Sequence, residues 1–199
     1  MAPASRTSLR RMAGMVTLAL LALQLTITPV GAAGDRARPH CVVTIEPVKP
    51  SESESREHSL RCYARFSDAI ADATDGHLRL HPDTQPYELT AGQVAAAAGP
   101  TVIGIDYEDP NYDVNFFGPS LTWSVGNEFG CLGGRNYSAA AMPAGWDNQV
   151  SSAKAFAGCS RYYHYEHPGF GGILVNCSPG CAGMGAMNDK TSSERWWDV

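Results

Sequence analysis

The sequence predicts an all-β sandwich preceded by a small α+β region, and three observations lead there. Beyond Pro100, short apolar runs (Thr101-Val-Ile-Gly-Ile-Asp106, Leu121-Thr-Trp123 and Ile173-Leu-Val175) are separated by Gly, Asn, Asp and Pro. That punctuation belongs to short strands joined by tight turns. The hexapeptide Asp147-Asn148-Gln149-Val150-Ser151-Ser152 returns in altered letters as Asn188-Asp189-Lys190-Thr191-Ser192-Ser193. A second pair, Tyr165-Glu-His-Pro-Gly-Phe170-Gly-Gly172 and Tyr107-Glu-Asp-Pro-Asn-Tyr112, precedes the hexapeptides in the same order. Two unlike motifs repeated in one order mark a duplicated supersecondary unit.

Taken from the N-terminus, the chain opens with Arg6, Arg10 and Arg11 and no acid, then the apolar stretch Met15 to Ile27, then Gly31-Ala32-Ala33. This is the pattern of a secretory signal peptide over residues 1–33. The run is shorter than the roughly 20 apolar residues that span a bilayer, so the mature form is expected to carry no membrane span. The chain has 15 Lys plus Arg against 20 Asp plus Glu; three Arg fall in the leader, which leaves 12 basic against 20 acidic residues, a net charge of −8. Such a surface repels phosphate backbones, which argues against a nucleic-acid partner, and suits cations. All 6 Cys (Cys41, Cys62, Cys131, Cys159, Cys177 and Cys181) follow the leader. An even count in an exported chain reads as three disulfides. Many pairings are possible, and sequence proximity favours Cys41 with Cys62, Cys131 with Cys159 and Cys177 with Cys181.

Residues 34–98 read as an accessory region with a linker and a short helix. Cys41-Val-Val-Thr-Ile45 suggests a strand, and the Ser-, Glu- and Pro-rich stretch from Pro47 to His58 a loop. Phe66, Ala69, Ile70 and Ala73 fall at helical spacing, with Ser67 as a cap and Asp75-Gly76 as a stop. His77-Leu-Arg-Leu80 alternates like a strand, and the Ala-rich stretch Thr90 to Gly99 suggests a weak helix or tether. Residues 99–199 then form the β domain.

In each hairpin corner two aromatics are expected to pack together while a glycine takes a backbone shape that a side chain would forbid. The order of corner, then acid-amide-x-x-Ser-Ser, resembles the βγ-crystallin Greek-key family, in particular its secreted bacterial members, over residues 101–197. That resemblance implies a βγ-crystallin-like sandwich of two Greek keys, with Ca²⁺ bound in loops shared between them. It implies side-chain oxygens from Asn148 and Asp189, hydroxyls from Ser151 and Ser192, and backbone carbonyls from Gln149, Lys190, Glu108 and Glu166. The first corner departs from the pattern. With Tyr112 as its second aromatic, Val114 occupies the glycine position; Phe117 is the better match, which makes Asp113 to Phe116 an insertion and places Pro119 there.

Other chemistry finds less footing. His164 and His167 flank Glu166 but lack the i, i+4 spacing of a helical zinc site, so they read as packing residues. No Gly-x-Ser-x-Gly elbow and no Gly-rich phosphate loop occurs, and the chain is expected not to be an enzyme. The expected function is a secreted, extracellular, disulfide-bonded protein whose partner and cofactor is the calcium ion. The alternative is a metalloproteinase inhibitor, which the resemblance also embraces. Its partner would be a secreted protease met by the loop Cys177-Ser-Pro-Gly-Cys181, because a pinned loop loses little entropy on binding.

Overall fold

The computed structural model describes residues 39–199, so the expected leader lies outside the described residues. The described residues form one compact unit. Its elements are β1 (His40–Ile45), β2 (Arg61–Tyr63), α1 (Phe66–Ala73), α2 (Ala91–Ala96), β3 (Thr101–Tyr107), β4 (Ser120–Val125), β5 (Tyr137–Ala139), β6 (Ser152–Ala155), β7 (Arg161–His167), β8 (Gly171–Asn176), β9 (Gly180–Cys181) and β10 (Ser193–Trp197).

The strands form a six-stranded sheet of order β2-β1-β4-β3-β6-β9 and a four-stranded sheet of order β5-β10-β7-β8. Two Greek keys generate this order. β3 and β4 make a hairpin, β5 crosses to the smaller sheet, and β6 returns to lie beside β3. In the second key β7 and β8 make the hairpin, β9 crosses to the larger sheet, and β10 returns beside β7. Each key therefore lends its third strand to the other's sheet.

The accessory region is built into this frame. β1 pairs in parallel with β4 along its whole length, from His40 opposite Ser120 to Ile45 opposite Val125. Its Val42 and the buried face of α1 (Phe66, Ala69, Ile70 and Ala73) join Leu89, Val94, Val102, Ile105, Tyr107 and Phe156 in a second core. The main core lies between the sheets around Ile103, Trp123, Tyr162 and Trp196. The larger sheet is thus covered on both faces, and this explains why β3 is buried at every position rather than alternating.

Two local expectations are corrected. Ser67 lies inside α1, its hydroxyl facing the Pro82 carbonyl at 3.5 Å, and Arg65 takes the cap position without a side-chain bond. Residues 77–80 are not a strand. The Thr74 hydroxyl bonds the Ile70 carbonyl at 2.7 Å and accepts the Leu78 N–H at 3.1 Å, which turns the chain. Leu78 and Leu80 then pack on the second core with no strand beside them. The Ala-rich stretch does form α2, begun by a capping box in which Thr90 accepts the Gln93 N–H at 3.2 Å and Gln93 Oε1 accepts the Thr90 N–H at 2.9 Å.

All three disulfides join the cysteines nearest in sequence: Cys41–Cys62, Cys131–Cys159 and Cys177–Cys181. Cys41 and Cys62 stand opposite each other in the β1–β2 pair, so that bridge locks their register.

Gly104 sits beside a register shift in β3, facing side chains of the smaller sheet. A Cβ there would lie 2.8 Å from Trp196 Nε1 and 3.0 Å from the Tyr162 ring. Gly104→Ala is expected to destabilise the protein by about 1–3 kcal/mol through overpacking, read as a lower denaturant midpoint. A second expectation concerns acid. Burial lowers His40 from 6.5 to about 4, with Nδ1 2.9 Å from Ser120 Oγ. Between those values the unfolded chain holds the extra proton, so the His40 contribution is complete above pH 6.5 and is lost as pH falls toward 4. Denaturation curves of the parent and His40→Gln should converge over that window, by up to roughly 3 kcal/mol.

Candidate metal centre

The repeated motifs meet in space through equivalent bonds. Tyr107 stands opposite Ser152 and Tyr165 opposite Ser193 in the β3–β6 and β7–β10 ladders. The Ser151 N–H donates to the Tyr107 carbonyl and the Ser192 N–H to the Tyr165 carbonyl, both at 2.9 Å. Ser152 Oγ donates to the Asp109 carbonyl at 2.7 Å and accepts the Tyr112 N–H at 2.9 Å. Ser193 Oγ repeats this with the His167 carbonyl at 2.7 Å and the Phe170 N–H at 3.0 Å. The second serine of each pair therefore closes its hairpin corner.

The aromatics follow the same duplication. Tyr107 and Tyr112 meet edge to face at 5.8 Å, and Tyr165 and Phe170 at 5.7 Å. Tyr112 and Phe170 share a positive φ, 60° and 67°. A cation two residues beyond each serine pair covers the outer ring, Lys154 over Tyr112 at 4.6 Å and Arg195 over Phe170 at 3.7 Å. Tyr112, and not Phe117, is thus the second aromatic of the first corner; Phe117 is 66% exposed. Because Tyr107 pairs with Ser120 whereas Tyr165 pairs with Leu174, the first hairpin is four residues longer. Gly118, rather than Pro119, falls in register with Gly172. A Cβ on Gly118 would collide with the Asp109 carboxylate, and one on Gly172 would lie 2.8 Å from Glu166 Cβ.

The first serine of each pair reaches across to the other loop. Ser151 Oγ donates to Asp189 Oδ1 at 2.7 Å, and Ser192 Oγ lies 3.5 Å from Asn148 Oδ1. The backbones clasp in the same reciprocal way: the Asn148 N–H donates to the Thr191 carbonyl and the Asp189 N–H to the Val150 carbonyl, both at 3.0 Å. Asn148 and Asp189 take positive φ, 59° and 52°, a conformation that Asn and Asp tolerate. Each candidate site therefore combines the serine of one key with the acid or amide of the other.

The two sites differ in charge. Glu108, Asp109, Ser151, Gln149, Asn148, Asn188 and Asp189 line one open cleft, with three acidic residues and no basic one. Asp109 and Asn188 were not anticipated; as the residues next to the expected ligands, they come with the loop geometry. At the related position, Lys190 Nζ stands 3.6 Å from Glu166 Oε1, and Glu166 Oε2 accepts the Ile173 N–H at 3.4 Å. Lys190, with its side chain 48% exposed, thus adds a positive charge beside this second position. Gln149, the counterpart of Lys190, turns its amide toward the Asp147 and Asn148 carbonyls.

A second polar cluster lies outside the expected residues. Asp106, His164 and Glu194 are fully buried between the sheets. Trp123 Nε1 donates to Asp106 Oδ2 at 2.7 Å and the Tyr162 hydroxyl to Asp106 Oδ1 at 2.5 Å. Burial pushes both carboxyls well above the ordinary range and drives His164 down to about 4. The signal lay in the alternation of β7, which turns Tyr162 and His164 inward together.

Ser152→Ala and Ser193→Ala should each lower stability by about 1–3 kcal/mol, because each strands a corner N–H and a carbonyl. Thermal unfolding of the two variants checks this, and near-equal losses are expected from the equivalence of the corners.

No protein-family model matches the chain, and no curated protein sequence matches it. Among solved structures the chain is similar to a βγ-crystallin from an Archaea, at 15% sequence identity and a TM-score of 0.33, over 48% of this chain and 96% of that one.

Proposed function

We propose that this chain is a secreted, non-catalytic protein that binds Ca²⁺ in the loops shared by its two Greek keys, with one dominant site. The observation that carries the reading is the crosswise pair Ser151 Oγ and Asp189 Oδ1 at 2.7 Å, set in a cleft lined by three acidic residues and no basic one. The donor set is all oxygen, as a hard cation requires. Asp189, Ser151 and the carbonyls of Glu108 and Gln149 would hold the ion there. Asn148, Ser192, Glu166 and Lys190 would form the weaker site, where the Lys190 ammonium opposes a second cation. Three disulfides accord with export to an oxidising compartment. No helix among the described residues is long and apolar enough to cross a membrane.

Bound calcium would act through stability. An ion held only by the folded state stabilises it by about 2.7 kcal/mol at a hundredfold excess over Kd. Extracellular modules work with affinities on the order of 10⁻⁴ to 10⁻³ M. The protease-inhibitor alternative has weaker footing, not because the loop is pinned but because the backbone groups it would offer to a protease are already bonded within the protein. The Pro179 carbonyl accepts the Ala155 N–H at 3.0 Å, the Ser178 hydroxyl donates to the Cys159 carbonyl at 2.8 Å, and β9 pairs with β6.

Calorimetric titration of Ca²⁺ into chelator-treated protein tests the reading. One dominant binding event is expected in the parent. Asp189→Ala should weaken it by about tenfold or more, the loss of one ionised ligand. Asn148→Ala should leave it nearly unchanged, and Lys190→Gln should reveal a second event. Absence of both heat and a melting shift in the parent would remove the proposal.

A further inference from the structure

The cluster buried between the sheets is placed as a ligand set would be. His164 on β7 and Glu194 on β10 are direct cross-strand neighbours, and Asp106 faces them from β3 of the other sheet. One ligand atom from each of the three residues lies within 4.8 Å of the other two. His164 Nδ1 is 2.9 Å from Glu194 Oε1 and 3.9 Å from Asp106 Oδ1. In a tetrahedral site with bonds of about 2.0–2.2 Å, adjacent donor atoms stand about 3.3–3.6 Å apart, so the two observed separations bracket that edge.

Their hydrogen bonding is incomplete. His164 Nδ1, His164 Nε2 and Glu194 Oε1 are buried and make no hydrogen bond, although Nδ1 and Oε1 are close. Buried polar atoms without partners are rare and costly. Burial favours the protonated carboxyls, and a divalent cation would take the place of those protons and balance the two carboxylates it ionises. The fourth neighbour is the Tyr162 hydroxyl, 2.5 Å from Asp106 Oδ1 and 3.2 Å from Glu194 Oε2.

We propose that Asp106, His164 and Glu194 bind a divalent first-row transition ion of the zinc class, which pins the two sheets together from the inside. One nitrogen and two carboxylate oxygens suit Zn²⁺. Ca²⁺ takes six to eight oxygens, more than this cluster offers. The site is separate from the loop cleft and does not rest on the calcium reading. It is closed to solvent, so the ion enters as the chain folds.

The test uses the full chain with its disulfides intact, unfolded in denaturant and refolded with Zn²⁺ alone or Co²⁺ alone, then gel-filtered in metal-free buffer. Elemental analysis should find one retained ion per chain, and the Co²⁺ form should show visible ligand-field absorption of a four-coordinate site. Retained metal should fall by about tenfold or more in His164→Asn and Glu194→Gln, and stay at the parental level in Asp189→Ala, which lies in the loop cleft. Should either core variant fail to fold, the parent's Co²⁺ spectrum and its Zn²⁺-dependent melting shift decide the matter. A parent that refolds without retaining metal, or core variants that retain as much as the parent, would overturn the proposal and leave a metal-free carboxyl-imidazole network.

Discussion

Each Greek key gives up its third strand: β5 goes to the sheet of the second key and β9 to the sheet of the first. A key that held all four of its strands would be a small sheet with one bare apolar face. Exchange makes the two halves complete each other's hydrogen-bond ladders as well as each other's core. The reciprocal contacts between the Ser-Ser loops follow, because β6 and β10 leave the two loops side by side. Asn148 and Thr191, and Asp189 and Val150, are bonded across the pseudo-twofold for that reason. A site assembled from residues 148–151 and 189–192 is thus a by-product of how the sandwich closes.

Duplication fixes the frame but not the charge. Equivalent serines make equivalent bonds to within a few tenths of an ångström. Yet Gln149 on one side and Lys190 on the other give two electrostatically unlike sites. Divergence in the core is similar in kind: Gly104 lets Tyr162 and Trp196 approach β3, while Asp106, two residues further along, meets His164 and Glu194. Shape is shared between the halves, and chemistry is particular to each.

Much of this was legible in the sequence, and the limits have physical causes. The serine hexapeptides and the complete corner at Tyr165 stand out because a tight turn restricts residue type at every position. The cysteine pairing was readable because each bridge is local. The first corner misled because a longer hairpin admits two alignments by letter, and only strand register, with Tyr107 opposite Ser120, chooses Tyr112. His77 to Leu80 alternated as a strand would, but no neighbour offers it a ladder. How the accessory region is held was hidden, because nothing local reveals that Val42 and Phe66 cover the outer face of a sheet whose strands β3, β4 and β6 come much later in the chain. The inward cluster was hidden for the same reason: Asp106, His164 and Glu194 are far apart along the chain, and only tertiary pairing makes them neighbours.

The position of β10 has a consequence for biogenesis. This strand, formed by Ser193–Trp197, lies between β5 and β7 and supplies Trp196, stacked on Tyr162 with ring centres 5.1 Å apart. The smaller sheet is therefore bisected by the segment that is translated after all its other strands. A growing polypeptide would lack the strand that joins β5 to β7 until Ser193–Trp197 has emerged, and closure of the smaller sheet would wait for it. Loss of Ser193–Trp197 would then remove a keystone rather than fray an edge, which makes the integrity of this strand a sensitive measure of whether the molecule has matured.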